Sequence, residues 1–222
     1  MPTGIPGSQE NSDRSIVSQC IVYIVDDLAT NRLHLKELLS REGWRVVEYE
    51  SAQSFLDGFN PDAPACILLD VRMPGMSGLT LQKLLNERGV AIPIVIVTAH
   101  ADVPMAITAM QAGAFDFIER PASNDLVLDN VARAAEEALK RYETTARLNE
   151  VRERFGQLSR REIDVLEEMI KGEPNKRIAY TLSISERTVE VHRANVMRKM
   201  DVRSLAELVR LMMLVRQADS AQ

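Results

Sequence analysis

The sequence predicts an α/β domain built on a parallel sheet, followed by a smaller all-α domain and joined to it by a long helix. Four short, largely apolar runs, at residues 20–25, 66–69, 94–97 and 115–118, are typical of strands buried on both faces of a parallel sheet. The second half of the chain instead carries helical patterns. Residues 123–154 lie between the two halves and contain many strong helix formers without Gly or Pro.

Carboxylates follow two of these runs at the point where each predicted strand ends. Asp26 and Asp27 come directly after the first run, and Asp70 comes directly after the second. Ligands of open α/β sheets bind beyond the carboxyl ends of the strands, so we expect the three acids to converge on one rim. Three carboxylates repel one another unless a cation lies between them, and small hard oxygen ligands suit Mg²⁺. The sequence therefore predicts a magnesium site at this rim.

Two further polar groups are expected at the same rim. Thr98 follows the third run and supplies a hydroxyl, while Arg120 lies just beyond the fourth run and supplies a cation. Acids, a hydroxyl and a cation at the ends of neighbouring strands suit a phosphoryl group held beside a metal ion. An Asp pair taken alone could equally be a solvated loop, but the other polar groups at strand ends disfavour that alternative.

The order of these residues resembles that of the receiver domain of two-component response regulators. The resemblance covers roughly residues 19–140 and rests on Val25-Asp26-Asp27, residues 69–78, Thr98-Ala99-His100 and Arg120-Pro121. It implies a doubly wound, five-stranded, flavodoxin-like sheet. The chain departs from the family at one position, because the family has Lys where this chain has Arg120.

The resemblance also implies which residues accept the phosphoryl group and bind the metal. Asp70 would be the phospho-accepting residue. Asp27 and Asp70 would bind Mg²⁺ directly, together with the backbone carbonyl of Arg72. Asp26 would bind the ion through water.

A switch is implied by the same resemblance. Thr98 would bond a phosphoryl oxygen, Phe117 would be the aromatic residue that moves with it, and Arg120 would supply the cation. The change would bias the face made by helix 103–112 and strand 115–118 toward self-association. A homodimer is therefore expected on activation.

A helix-turn-helix is predicted in the second half of the chain. Ser159 and Glu162 form a capping box in front of an apolar helical stripe. A short helix at 175–182 is followed by a tight turn at 183–185 and by a basic helix, Glu186–Lys199. The second helix of such a unit enters the major groove of DNA.

This part of the chain resembles the LuxR-type DNA-binding domain of the FixJ/NarL response regulators, and the FixJ subfamily most closely. The resemblance covers roughly residues 155–216 and rests on residues 158–162, 175–179 and 185–197. The candidate DNA contacts are Lys176, Arg187, Thr188, Glu190, Val191, His192, Arg193, Ala194, Asn195, Arg198 and Lys199. Of these, the resemblance places Glu190, Val191, Ala194 and Asn195 on the groove-facing side.

Length and charge agree with this division. A chain of 222 residues suits two domains, each with its own core. The net charge of −5 combines −8 in residues 1–150, +4 in residues 151–216 and −1 from Asp219. The second domain is therefore the one expected to meet DNA, and its modest charge suggests that dimerisation matters for affinity. No apolar run is long enough to span a membrane and no signal peptide is visible, so a cytoplasmic protein without a membrane partner is expected.

The predicted boundaries follow from these patterns. Residues 1–18 form a polar, disordered tail, and residues 19–140 form the receiver domain. A helical linker at 141–155 leads to the LuxR-type helix-turn-helix domain at 156–216. The alternative for the linker is a break near residues 143–148, where two Thr adjoin.

The leading functional hypothesis is a DNA-binding response regulator rather than an enzyme. A partner histidine kinase would phosphorylate Asp70 in the presence of Mg²⁺, promoting dimerisation, binding to promoter DNA and, for an activator, contact with RNA polymerase. One alternative is a DNA-binding regulator whose receiver is not switched by phosphate, an idea supported by Arg120 alone. A third is an Mg²⁺-dependent phosphohydrolase, which lacks an evident acid/base residue and leaves the helix-turn-helix unexplained.

Overall fold

The computed structural model describes residues 16–220, with side chains as far as residue 217. The chain divides into two compact units, with the boundary between residues 143 and 144. The strands of the first unit are β1 (Ile21–Val25), β2 (Arg45–Tyr49), β3 (Ala65–Leu69), β4 (Ile94–Thr98) and β5 (Asp116–Glu119). The helices that alternate with them are α1 (Ala29–Arg41), α2 (Ala52–Gly58), α3 (Gly78–Glu87) and α4 (Val103–Gln111). The helices that follow are α5 (Asn124–Gly156), α6 (Arg160–Ile170), α7 (Asn175–Leu182), α8 (Glu186–Lys199) and α9 (Leu205–Ser220).

The five strands form one parallel sheet in the order β2-β1-β3-β4-β5. The predicted doubly wound α/β fold is therefore confirmed. Strands β1, β3 and β4 are fully buried because they occupy the centre of the sheet, with helices on both faces. Strands β2 and β5 lie at the edges and are partly exposed. Strand β5 begins one residue later than its apolar run predicts and ends at Glu119, which pairs with Thr98.

The register of the central strands determines where the polar rim lies. Val25 pairs with Leu69, so Asp26 and Asp70 follow two adjacent strands at the same level. The Asp70 N–H also donates a hydrogen bond of 2.9 Å to the Val25 carbonyl. Strand β4 lies on the other side of β3 and ends at Thr98. The sheet therefore delivers two carboxylates and a hydroxyl to one edge.

Helices cover the sheet on both faces. On one face, Leu39 of α1 and Val131 of α5 belong to an apolar layer with the side chains of the central strands. On the other face, Phe55 of α2, Leu81 of α3 and Ala109 of α4 belong to a second layer. Each large apolar side chain buried in this way contributes roughly 1.5–3 kcal/mol to stability.

Helix α5 runs without interruption through residues 143–148, so the alternative break in the linker does not occur. Ion pairs at four-residue spacing support the helix before and after this stretch, at Glu137–Arg141 and Glu150–Arg154. Each pair joins a guanidinium to a carboxylate at 2.7 Å.

The start of the described chain differs from the predicted tail. Residues 1–15 of that tail lie outside the described residues. Residues 16–18, which the sequence assigns to the tail, instead belong to a helical turn at 16–19. The reason is that Ile16 and Val17 are apolar and pack against the layer formed by α1, α5 and the sheet.

The second unit contains the predicted helix-turn-helix. The Ser159 hydroxyl accepts from the Glu162 N–H, and the Glu162 carboxylate accepts from the Ser159 N–H at 2.8 Å, so the predicted capping box starts α6. Ser183 takes the left-handed conformation, with φ of 54°, in the turn between α7 and α8. Val165, Ile178 and Val189 of α6, α7 and α8 share one buried core. Within residues 16–220, none of the helices has the length and apolar character needed to cross a membrane.

Candidate functional site

Two aspartates and a threonine lie at the carboxyl edge of the sheet. Asp26, Asp70 and Thr98 are all almost completely buried. Buried carboxylates are unfavourable unless charged or hydrogen-bonding partners compensate them, so their partners determine what this edge can do.

Arg120 supplies that compensation and bridges the two acids. One terminal nitrogen, Nη1, donates to Asp26 Oδ2 at 2.9 Å, and the other, Nη2, donates to Asp70 Oδ1 at 2.9 Å. The guanidinium therefore donates one hydrogen bond to each carboxylate instead of forming a bidentate pair with one of them. Its Nε is buried and has no hydrogen-bonding partner among the described residues. One positive charge thus lies between two negative charges.

The first acid is also held by the chain that follows it. Asp26 Oδ1 accepts from the Leu28 N–H at 2.8 Å, and the Asn31 amide donates to both carboxylate oxygens at 3.1–3.2 Å. Arg32 Nη1 donates to the backbone carbonyls of Asp26 and Asp27, at 2.8 and 3.1 Å. Asn31 and Arg32 were not among the predicted site residues. Their position in the first turn of α1, shortly after the acid pair, is the signal that could have identified them.

The second acid has a shifted pKa. Burial raises the pKa of the Asp70 carboxyl, and the neighbouring Asp26 carboxylate raises it further. The Arg120 guanidinium, the Thr98 hydroxyl and the Arg72 N–H oppose that rise. The last of these groups donates to Asp70 Oδ2 at 2.9 Å. Both carboxylate oxygens of Asp70 therefore have a fixed donor.

The third acid faces an open cleft of about 610 Å³ above the rim. Asp27 lines this cleft together with Asp70, Arg72, His100 and other residues. The Asp27 side chain is half-buried, and in the described part of the chain its carboxylate has no hydrogen bond or ion pair. This carboxylate is therefore free to take a ligand from the cleft.

The donor chemistry of the cleft fits a hard divalent cation. The carboxylates of Asp27 and Asp70 and the backbone carbonyl of Arg72 are oxygen ligands of the kind that Mg²⁺ prefers. Across residues 16–220, no three Asp, Glu, His or Cys side chains are arranged to hold a metal ion. Arg120 takes one oxygen of Asp26 and one of Asp70. The donors are therefore suitable, but two of their oxygens are already engaged by a guanidinium.

The loop after β3 packs closely on the backbone of Asp70. A Cβ added to Gly78 would lie 2.2 Å from the carbonyl oxygen of Asp70, so only glycine fits there. The Gly78 N–H donates to the Val71 carbonyl at 3.0 Å, and the Ser77 hydroxyl caps α3 by accepting from the Thr80 N–H. The start of α3 is thereby held against the second acid.

The predicted switch residue Phe117 lies on β5, half-buried against the apolar layer beneath α2, α3 and α4. Nearby, α4 exposes Val103, Ile107 and Met110, whose exposed fractions are 72%, 51% and 47%. Their spacing of four and three residues puts them on one side of the helix. The outer surface of α4 is therefore an apolar stripe.

Helix α4 is fixed to α3 by two side-chain amides. Gln82 Nε2 donates to the Ala109 carbonyl at 3.0 Å, and Asn86 Nδ2 donates to the Ala112 carbonyl at 2.7 Å. Both acceptors belong to the backbone at the end of α4. Side chains of α3 therefore hold the backbone of α4 in place, in addition to the apolar packing of Ala109.

Helix α8 presents one exposed face in the second unit. Val189 and Val196 are buried in the core, which fixes the opposite side of the helix as the solvent face. The predicted DNA contacts on that exposed face are Arg187, Glu190, Val191, Ala194 and Arg198. Their spacing of three to four residues makes a continuous stripe. His192, Arg193 and Asn195 are half-buried and border it. His192 Nδ1 is buried, with no hydrogen-bonding partner in the described structure.

Two of the predicted DNA contacts, Thr188 and Lys199, have partners within the domain. The Thr188 N–H donates to Ser185 Oγ at 3.1 Å, and the two hydroxyls lie 2.7 Å apart, so this pair caps α8. Lys199 Nζ donates to Glu162 Oε2 at 2.7 Å and to the Gln157 carbonyl at 3.1 Å. A DNA contact by Lys199 would have to compete with this ion pair.

The first helix of the pair adds a further basic surface. Lys176, Arg177 and Tyr180 are all exposed, and they line one shallow surface pocket on α7. Tyr180 is 84% exposed, which is unusual for so large an aromatic side chain. Arg177 and Tyr180 were not among the predicted contacts, although an aromatic one helical turn beyond two cations is a visible signal.

Comparisons with known proteins agree with both halves of this description. Residues 22–132 match the response regulator receiver domain, and residues 156–212 match the bacterial regulatory proteins of the luxR family. The chain is 45% identical to the transcriptional regulatory protein FixJ of Rhizobium meliloti over 191 residues, covering 86% of this chain and 93% of that protein. It is 41% identical to the response regulator protein TodT of Pseudomonas putida over 205 residues, covering 92% and 88%.

A solved structure resembles most of the chain. The response regulator StyR aligns with a TM-score of 0.79 at 40% identity, covering 88% of this chain and 98% of that one. Its similarity extends over the receiver domain and the helix-turn-helix domain together. The chain therefore belongs to the two-component response regulators that carry a LuxR-type DNA-binding domain, and is similar to FixJ and TodT.

Proposed function

We propose that this response regulator is switched by phosphorylation of Asp70, and that the phosphorylated form dimerises and binds promoter DNA. The proposal rests on the arrangement of charged side chains at the rim of the sheet. The carboxylates of Asp70 and Asp27 line one cleft, and the Arg120 guanidinium lies against Asp70. The phosphoryl donor would be a partner histidine kinase, the partner that a receiver domain implies.

Asp70 acts as the nucleophile in this proposal. One of its carboxylate oxygens bonds to phosphorus while the bond from phosphorus to the donor nitrogen breaks. The Arg72 N–H on Oδ2 and Arg120 on Oδ1 orient the carboxylate before the donor arrives.

The product carries more negative charge than the carboxylate it replaces, so it attracts nearby donors. Arg120 is the cation within reach of that charge. The Thr98 oxygen accepts from the His100 N–H at 3.4 Å. Its hydroxyl, which now bonds the Asp70 carboxylate, would turn to donate to a phosphoryl oxygen. Thr98 and Arg120 would move toward the phosphoryl group, and the side chain of Phe117 would move with them.

Mg²⁺ would be held by Asp27, Asp70 and the backbone carbonyl of Arg72, with Asp26 bound through water. When bound, the ion neutralises the charge of the acids and of the incoming phosphoryl group. The free carboxylate of Asp27 supports this assignment, because it faces the cleft with no other partner in the described structure.

The proposed response is self-association through α4 and β5. The exposed stripe of Val103, Ile107 and Met110 is the apolar part of that face, and a second copy of the chain would bury it. Two DNA-binding domains would then present the exposed stripes of two α8 helices to half-sites about 34 Å apart. Because one domain carries only a modest positive charge, pairing would raise its affinity considerably.

A second candidate is a DNA-binding regulator whose receiver is not switched by phosphate. The two arms of Arg120 support it, because they already compensate the charges of Asp26 and Asp70. A receiver stabilised in this way could hold one conformation without a phosphoryl group.

Labelling with radioactive acetyl phosphate and Mg²⁺ separates these candidates. We expect Asp70 to incorporate label, Asp70→Asn to incorporate none, and the exposed Asp57→Asn to label like the unchanged protein. Label of equal intensity on Asp70→Asn would exclude Asp70 as the acceptor. No label on any form, with promoter binding unaffected by phospho-donor in a gel shift, would favour the second candidate. Turnover of a phosphomonoester would instead support the hypothesis of an Mg²⁺-dependent phosphohydrolase.

A further inference from the structure

Arg120 is bound to the same acids that a metal ion would need. Its two arms take Asp26 Oδ2 and Asp70 Oδ1, each at 2.9 Å. Asp27, the other acid of the cleft, is left free in the described structure. The rim therefore has one unpaired carboxylate, Asp27, and two others, Asp26 and Asp70, that share the Arg120 guanidinium.

The guanidinium depends on these two acids for its hydrogen bonds. Among the described residues, its Nη1 and Nη2 atoms donate to Asp26 and Asp70, and its buried Nε donates to none. Losing one arm would break one of the two charge-assisted hydrogen bonds of this guanidinium. Such a loss is unfavourable, so the guanidinium resists displacement from either acid.

A divalent cation and the guanidinium would compete for the same negative charge. Two cations in one small site repel each other. Asp70 Oδ1 also cannot bind the metal ion and the guanidinium with optimal geometry at the same time. An ammonium at position 120 would compete less, because it is a compact group without the planar fork that spans two carboxylates.

We propose that Arg120 is a built-in competitor of the divalent cation, and that it sets how much Mg²⁺ the receiver needs. The inference rests on the proposed function, because it takes the metal site assigned there. The metal enters through the free carboxylate of Asp27, and Arg120 withdraws at least one arm from Asp26 or Asp70 as the ion is bound. The receiver is therefore predicted to have a weaker affinity for Mg²⁺ than it would have with Lys at this position.

Metal titration of the full chain tests this inference. Mn²⁺ binding would be followed by electron paramagnetic resonance, and Mg²⁺ binding by calorimetry, for the unchanged protein, Arg120→Lys and Arg120→Met. We expect Arg120→Met to bind about tenfold more tightly, the equivalent of one charge-assisted hydrogen bond that no longer has to break, and Arg120→Lys to fall between. The matched control is Arg141→Met, which removes an exposed arginine of α5 paired with Glu137, and it should bind like the unchanged protein.

A second measurement follows metal binding in the unchanged protein and uses a variant of the site only for assignment. In the unchanged protein, the Nε–H resonance of Arg120 should shift as Mg²⁺ is added, with a midpoint equal to the calorimetric one. Arg120→Lys would serve here only to assign the resonance. A resonance that stays unchanged while metal binds would overturn the proposed competition.

The outcomes distinguish this inference from the function on which it rests. Equal metal affinities in all three forms, with binding lost in Asp27→Asn, would overturn the competition while supporting the metal site. No metal binding in any form would overturn the metal site itself, and the competition with it. Tighter binding in both Arg120 variants, with Arg141→Met unchanged, would support both.

Discussion

Lys199 Nζ at the end of α8 lies 2.7 Å from Glu162 Oε2 in the first turn of α6. The contact joins α8, the helix proposed to read DNA, to α6, across 37 positions of sequence. The same carboxylate also completes the capping box with Ser159. One acid thus caps one helix and positions another.

This double role predicts an acid-sensitive domain. Lys199 and the Ser159 N–H lower the pKa of Glu162 from an ordinary value of 4.5 to about 2. Because the folded pKa is below the unfolded one, the stabilisation is complete above about pH 4.5 and is lost as the pH falls toward 2. Glu162→Gln should remove this pH dependence, and should destabilise the domain at pH 7 by about 1–2 kcal/mol.

Two optical signals separate the domain from the receiver. The single tryptophan, Trp44, lies in the first unit, so its fluorescence follows the receiver, whereas circular dichroism follows both units. We expect Glu162→Gln to shift the dichroism transition alone. The matched control is Asp164→Asn in the same helix, which breaks an exposed pair with Arg161 and should change stability by about 0.5 kcal/mol or less. A pH profile of Glu162→Gln that matches the unchanged protein would show that another acid is responsible.

The exposed face of α8 predicts two different effects on DNA binding. Val191 is suited to a thymine methyl, so its substitution should lower affinity by roughly 1–3 kcal/mol for one base identity and leave other positions unaffected. Arg187 is a candidate for a phosphate contact, so Arg187→Gln should weaken binding on all sequences and lower the salt slope by about one.

Fluorescence anisotropy on a selected operator and its single-base variants, at several salt concentrations, would measure both effects. Arg161→Gln, an exposed arginine on α6, provides the charge-matched control for Arg187→Gln. A Val191 substitution that leaves sequence preference unaltered would mean that α8 does not lie in the groove as proposed.

Gly78→Ala tests how closely the loop after β3 packs on Asp70, the proposed phospho-acceptor. The added Cβ would lie 2.2 Å from the Asp70 carbonyl oxygen, and because that neighbour is backbone, the loop has to shift. We expect a loss of about 1–3 kcal/mol in the unfolding transition reported by Trp44, together with slower labelling of Asp70. Gly156→Ala is the control, because a Cβ there meets nothing within 4 Å. A stability of Gly78→Ala equal to that of the control would contradict the close packing.

Arg120→Lys is also expected to change the output of the switch. The wide planar guanidinium needs more room beside Thr98 and Phe117 than an ammonium does, so coupling between phosphorylation and dimerisation should be weaker with Arg. Ultracentrifugation at matched phosphorylation should therefore find a larger dimer fraction for Arg120→Lys. An unchanged or smaller fraction would indicate that the receiver is already adapted to the guanidinium.

The sheet and the identity of the rim could be predicted because both depend on local sequence. Each central strand is a continuous apolar run, and a polar residue at its end marks where the sheet stops. The capping box of Ser159 and Glu162 is equally local, since its partners are three residues apart.

The contacts of the rim could not be predicted in the same way. Arg120 meets Asp26 and Asp70 from 94 and 50 residues away, and no local pattern states that one guanidinium would divide its arms between them. Lys199 was predicted to contact DNA, yet its ammonium donates to the Glu162 carboxylate in the folded domain. From the sequence alone, a lysine on this helix could contact either DNA or a carboxylate of its own domain. Only the folded structure shows which of the two is nearer.

The attachment of α4 to α3 has a consequence for how such a regulator could diversify. Gln82 and Asn86 donate to main-chain carbonyls at Ala109 and Ala112, and every amino acid carries a carbonyl. Substitutions on the outer side of α4 would therefore change the surface that another molecule contacts without moving the helix. In a cell with many related receivers, this arrangement would let each copy acquire its own pairing preference without rebuilding its scaffold.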